Sequence, residues 1–369
     1  MEVLLTHTTA LEVLRRPDLQ RRVMTAPRDA AAVPDRAPTR AEMEEMLARS
    51  PLLASLGQPL ELLVSSASAR IGNDLVRTHV MSAPLPAGST IEVAPGIRVV
   101  SPELLPVLMA PRLTELELIF LLSELLGTYA IDLARQKGMW QRREPLTTPD
   151  RIRSLLDALG SVRGVGLVRR ALQRACVGSA SPRETKLSMR FGLPAALGGW
   201  FLRVLSMNDP VEVRRIRDAM SMGVRKPDIL LRARGRRAKG VAVEYNGIDH
   251  DSPEQQALDI ERHNELVAMG YDEFIVSAEQ YRDLDYMDGL VARIREKLGL
   301  RTAALDPEED ARRRALRQRL YEELELIDGV HWNGLARERA RRASAEVGLG
   351  AADGTDDSWD VVPVEAYGV

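Results

Sequence analysis

The order of apolar and polar positions divides the chain into stretches of different period. Near the start, residues 3–5 read as a short strand. A helix follows, with Thr8 or Thr9 as its expected cap and Leu11, Val13 and Leu14 on its apolar side. Residues 26–39 are rich in Ala and Pro and read as a linker or exposed loop, with a helix expected over 40–48. Residues 60–101 carry three β-like runs separated by the turn residues Gly72–Asn73 and Pro95–Gly96. A helix starts at Ser101-Pro102-Glu103. A second, over 114–129, carries Leu116, Ile119, Phe120 and Leu126. Another helical stretch spans 149–175, and Ser181-Pro182-Arg183-Glu184 has the layout of a helix N-terminus.

The most informative alternation lies further on. Residues 227–231 and 241–245 read as two strands joined by a basic turn at 234–239. A helix is expected over 253–269, a strand over 273–277 and a last helix near 288–297. This α-β-β-α-β-α order predicts a mixed sheet with helices on its faces. Five domains or segments follow from the pass: an N-terminal α+β domain (1–145), a helical linker (146–178), an α/β unit (179–298), a charged helical extension (299–349) and an acidic tail (350–369). The tail holds five Asp/Glu and no Lys/Arg, a composition that favours disorder.

Composition narrows the function. The chain has 369 residues, 45% hydrophobic and only 4% aromatic, so its cores rest on Leu, Val, Ala and Met. The net charge of −2 gives no global signature for a polyanion partner. One cysteine, Cys176, excludes an internal disulfide, and no Cys/His cluster has zinc spacing. With no signal-peptide pattern at the start, a cytoplasmic location is expected. The apolar patch at 116–126 is broken by Glu117 and Glu124 and reads as a helix of the fold, so no membrane partner is expected.

Local charge differs from global charge. Residues 211–240 contain ten Lys/Arg and three acids, a net of +7. Lys226, Arg234, Arg236, Arg237 and Lys239 are the candidate phosphate contacts, a polyanion being the expected partner. The bland alternative is a solvated turn with salt bridges to acidic helices. Strand parity supplies the candidate chemistry. Glu244 and Asn246 lie two apart and share a face, while Val241, Val243 and Tyr245 point the other way. A short hairpin brings Asp228 near Glu244. Two such carboxylates suit Mg²⁺ or Mn²⁺, which polarises a phosphodiester and activates water. Taken singly, Asp228 is equally a strand cap and Glu244 an arginine partner.

These residues resemble the PD-(D/E)xK nuclease superfamily, which implies a restriction-endonuclease-like mixed sheet flanked by helices. The nearer likeness is to its very-short-patch-repair-like branch of bacterial proteins. It is carried by Ser181-Pro182-Arg183-Glu184, Pro227-Asp228, Val243-Glu244-Tyr245-Asn246-Gly247, His250, Asp259, Arg262, Leu266 and Gly270. The resemblance implies a metal-dependent DNA endonuclease or nickase in defence or repair. Asp228, Glu244, Asn246 and His250 would be catalytic, and Asp228, Glu244 and Glu184 would hold the metal. Asp259 and Arg262 would support the site. Asn246 stands where the superfamily has Lys, which leaves open a non-catalytic DNA-binding regulator. Read without the resemblance, Glu184 is a capping residue, His250 a surface histidine, and Asp259–Arg262 an i,i+3 ion pair. The N-terminal half, through Thr6-His7-Thr8-Thr9-Ala10-Leu11-Glu12 and Ile97-Arg98-Val99-Val100-Ser101-Pro102-Glu103, is similar to AbiEi-type antitoxins of type IV toxin–antitoxin systems. That likeness implies a toxin-like protein, or a second copy of the chain, as a further partner.

Overall fold

The computed structural model describes residues 2–30, 32–141, 143–202, 205–216, 218, 220–233, 239–246, 253–301 and 304–349, in a mixed α/β arrangement. Met1–Trp332 forms one compact unit and Asn333–Val369 a second, whose described part is the helix Gly334–Leu349. Among the described residues no helix is long and apolar enough to cross a membrane. The tail at 350–369 lies outside the described residues.

The N-terminal sheet contains β1 (Val3–Leu5), β2 (Arg28–Asp29), β3 (Leu60–Val64), β4 (Val76–Val80), β5 (Thr90–Ala94) and β6 (Ile97–Val100), in the order β2-β5-β6-β1-β3-β4. The supposed loop at 26–39 therefore contributes an edge strand, pinned where the Arg28 guanidinium meets Glu103 and the Leu146 carbonyl. The Gly72–Asn73 turn does not close a hairpin. β3 and β4 run parallel, with Glu61 beside Arg77 and Leu63 beside His79. Helix His7–Arg15 is not capped by Thr8 or Thr9. Its N-cap is Thr6, and the Thr8 N–H and hydroxyl both donate to the Glu61 carboxylate. Helix Glu115–Leu125 is buried around most of its circumference, Leu116 being only half-buried. Glu124, fully buried there, takes a bidentate bond from Arg15. A small antiparallel pair, β7 (Tyr129–Ile131) and β8 (Met139–Gln141), follows. Helices Pro149–Leu159 and Val165–Leu172 then bury Ile152, Leu156, Val168 and Ala171.

The second sheet is built on the expected hairpin and is larger than the alternation suggests. It adds an edge strand, β9 (Leu205–Met207). A separate antiparallel hairpin, β10 (Val211–Arg214) with β11 (Met222–Arg225), stands beside it. β12 (Ile229–Arg232), β13 (Gly240–Asn246) and β14 (Tyr271–Ser277) complete the sheet in the order β14-β13-β12-β9. β12 and β13 are antiparallel, β13 and β14 parallel, so the sheet is mixed as expected. Ile229, Leu231, Val241 and Val243 face the large core that continues into the N-terminal half. Leu230 and Ala242, on the other face, join Val211, Val213, Leu266 and Tyr271 in a small separate core. Helix Pro253–Ala268 covers this second face.

Helix Pro307–Leu326 belongs to the fold and is not a loose extension. It buries Leu320 and Leu324 and passes so close to Gly198 that an added Cβ would lie 2.2 Å from the Leu316 carbonyl. Gly198 adopts φ +82°, so glycine meets both the space and the backbone requirement. Arg190 is buried at the junction, its guanidinium 4.6 Å from the Tyr281 ring centre, 5.0 Å from that of Trp200 and 5.2 Å from that of Tyr321.

Candidate functional site

The site follows from register. Ile229 pairs with Val243, so one step outward Asp228 stands opposite Glu244. Paired residues share a face, which puts Asp228 with Leu230, and Glu244 with Ala242 and Asn246, on the side covered by Pro253–Ala268. In the parallel pair Ala242 sits beside Glu273, which adds a third carboxylate to that face. Asp228 is fixed by the Tyr245 N–H, which donates to its Oδ2 at 2.8 Å. Because β12 ends where β13 begins, Asp228 and Glu244 lie at the end where no loop joins these two strands, and Glu273 stands two residues nearer the other end.

Glu184 approaches from helix Pro182–Gly192. Ser181 caps that helix through a bond from the Glu184 N–H, 3.1 Å, and the Ala180 N–H donates to Glu184 Oε2 at 2.8 Å. This is the capping role read from the sequence, shifted by one residue for the returning bond. Asn208 Nδ2 donates to the same oxygen at 2.8 Å, which ties β9 to the helix. Capping does not remove Glu184 from the acidic group, because its charge is felt at both Asp228 and Glu244.

The electrostatics are those of buried carboxylates crowded together. Burial, then Glu184, pushes the Asp228 carboxyl up to about 7, against the opposing Tyr245 N–H bond. Burial, then Asp228, Glu273 and Glu184, pushes Glu244 up to about 9, while Arg262 acts in the other direction. Burial also raises Glu184. Glu273 is 5% exposed and touches His263 Nδ1. Arg262 and His263 thus bring the overlying helix to the acids. Among the described residues, no three His, Cys, Asp or Glu side chains are placed so that together they could hold a metal ion. The fit to a divalent cation rests instead on the donors, the hard carboxylate oxygens of Asp228 and Glu244 on one face.

The structure thus brings together Asp228, Glu244 and Glu184, with Arg262 beside them and Asn246 next along the same face. His250 and the side chain of Asp259 lie outside the described residues, as do Arg234, Arg236 and Arg237. The strand ends flanking the basic turn, Arg232 and Gly240, pair at the other end of the hairpin from Asp228 and Glu244. Four residues of extended chain separate the two ends, about 14 Å. Lys239 shares that far end, its N–H donating to the Gly270 carbonyl. Lys226, exposed two residues before Asp228, is the basic candidate at the near end. Part of the local positive charge is structural. Arg225 holds the fully buried Glu265 at 2.5 Å, Arg215 lies 3.6 Å from it, and Arg232 pairs with Asp209 at 2.6 Å.

Glu273 and His263 are the site residues that sequence reasoning missed. Their signal was available, since Glu273 and Ile275 share a strand parity and His263 follows Arg262. Only the parallel register turns that parity into proximity to Glu244. Comparison with protein-family models, with characterised proteins and with solved structures gave no match to this chain.

Proposed function

We propose that the chain is a metal-dependent nuclease that cleaves a phosphodiester bond of DNA at the carboxylate face of its second sheet, with a restriction-endonuclease-like arrangement of β12, β13 and β14. The observation that carries the reading is the register placement of Asp228 opposite Glu244, with Glu273 on the same face and Glu184 close enough for its charge to act on both. Asp228 and Glu244 would hold Mg²⁺ or Mn²⁺, with Asn246 contributing a carbonyl oxygen and Glu184 adding negative charge nearby. A bound divalent ion supplies charge neutralisation of the phosphate and a lowered pKa for water. The chain's own groups do the rest. Tyr245 N–H fixes Asp228, Arg262 supplies positive charge beside Glu244, and exposed Lys226 is placed to meet a neighbouring phosphate.

A second reading is favoured by Asn246. With no lysine there, the same face would serve a DNA-binding regulator that kept the sheet without hydrolysis. Calorimetric titration of Mn²⁺ into the protein, followed by DNA binding at several salt concentrations, separates the two. The nuclease reading expects a saturable Mn²⁺ isotherm that Glu244→Gln abolishes. Salt-sensitive DNA binding with no Mn²⁺ isotherm would favour the regulator.

A further inference from the structure

The N-terminal sheet holds a second cleft, of about 520 Å³, unrelated to the carboxylate face. Its geometry follows from the parallel pairing of β3 and β4, which puts Glu61, Leu63, Arg77 and His79 on one face. Two imidazoles form its floor. His7 and His79 stack with ring centres 3.7 Å apart and planes 20° apart. Both are buried, and His7 is held at φ +47°, a left-handed conformation at the point where β1 turns into its helix. Such strain persists only where surrounding contacts fix it, and it gathers at ligand sites. Here Glu61 does the fixing. Its Oε1 lies 3.2 Å from His79 Nε2, and its Oε2 takes the Thr8 N–H at 2.7 Å and the Thr8 hydroxyl at 2.5 Å.

Four arginines, Arg70, Arg77, Arg112 and Arg163, line the cleft, and no acid does. Arg112 leans toward Glu61 at 3.8 Å. Among the described residues the other three have no carboxylate partner. The remaining walls are mainly apolar, with Leu63, Val107, Leu108 and Val162 among them. A cleft of this size falls within the range of small-molecule sites, roughly 300–1,000 Å³, and exceeds what one inorganic phosphate fills. Guanidinium forks match phosphate oxygens two at a time, and four of them suit an anion with more than one negative charge. Apolar walls suit an organic body attached to that anion.

We propose that this cleft binds a phosphate ester of nucleotide size, its phosphate groups held by Arg70, Arg77, Arg112 and Arg163 and its organic body against the apolar walls. The site is independent of the nuclease reading, because none of its lining residues belongs to the second sheet.

The test is calorimetric titration of the full chain with AMP, ADP, pyrophosphate and inorganic phosphate at low salt. It is run on wild type, on Arg70→Ala/Arg77→Ala/Arg163→Ala, on the corresponding triple Lys variant, and on Glu244→Gln. The expected result is one saturable site for a nucleotide, tighter than for inorganic phosphate. Each charge-assisted bond lost weakens binding about tenfold, so the triple Ala variant should lose on the order of a thousandfold. The Lys variant should retain part of the affinity, and Glu244→Gln all of it. The three arginines are exposed, so an unchanged melting temperature confirms that the variants fold. No binding of any probe by wild type, or equal nucleotide affinity in wild type and the triple Ala variant, would overturn the proposal. So would binding of inorganic phosphate as tight as that of nucleotide.

Discussion

Crowded carboxylates make stability fall with rising pH, and Glu244→Gln should remove much of that fall. Asp228 and Glu244 have folded-state values of about 7 and about 9, above those of ordinary carboxyls. Between the ordinary carboxylate range and these values the folded chain keeps protons that the unfolded chain has lost. The unfolded state therefore binds fewer protons, and unfolding free energy drops as pH rises. The stability is fully present below about pH 4 and is lost as pH passes through 7 for Asp228 and 9 for Glu244. Each pH unit in that window costs up to about 1.4 kcal/mol per group, on the order of 2 kcal/mol per group between pH 5 and pH 7. Glu244→Gln keeps the shape and removes the titration at about 9, leaving that of Asp228, so the drop should shrink by about half. The assay is urea denaturation followed by circular dichroism at pH 5, 6, 7, 8 and 9, with a chelator present. Other titrating groups act equally in both proteins, so the difference between the curves is the readout. Parallel curves for wild type and Glu244→Gln would refute the crowding argument. Saturating Mn²⁺ should flatten the wild-type curve, adding about 2.7 kcal/mol at a hundredfold excess over its dissociation constant.

Other outcomes follow from the same structure. Asn246→Asp should tighten Mn²⁺ binding, measured calorimetrically, because it adds a carboxylate on the face of Glu244; weaker or unchanged binding would place Asn246 away from the ion. Arg190→Ala should cost about 3 kcal/mol or more in denaturant unfolding, since it empties a buried cavity between three aromatic rings, while Arg190→Met should cost less. Glu265→Gln should cost about 3 kcal/mol by leaving Arg225 buried without its partner, and equal stability would mean that the pair is idle. Lys226→Glu should weaken DNA binding and reduce its log–log salt slope by about 0.9 if one duplex phosphate contact is lost. An unchanged slope would remove Lys226 from the interface.

The hairpin and the first two acids were legible because they depend on local period. Val241 and Val243 against Glu244 and Asn246 fix which side each strand buries, and Pro227-Asp228 marks the start of its partner. The rest depends on pairing between distant segments. Glu273 joins the site only through the parallel alignment of β13 with β14, and the sequence states no register for strands joined by a helix. The alternation of Val211 and Val213 with Glu212 and Arg214 is a plain strand signal, yet the arginine count of that region drew attention to charge alone. Arg215, Arg225 and Arg232 turned out to be committed to acids within the fold. The ends of the hairpin show the same limit of parity, with Arg232 and Gly240 paired at one end and Asp228 opposite Glu244 at the other. A turn that joins two strands lies at one end of them, and parity shows which face a residue takes but not which end it occupies. The His7–His79 stack was invisible because β3 and β4 are parallel, whereas the intervening glycine and asparagine suggest only a turn.

The most direct test of the central claim is nicking of supercoiled plasmid by the full chain with Mg²⁺ or Mn²⁺, alongside Asp228→Asn and Glu244→Gln. The account predicts metal-dependent conversion to open-circular DNA by wild type, lost in both variants and in chelator. No nicking by wild type in either metal, or equal nicking by wild type and Glu244→Gln, would contradict it.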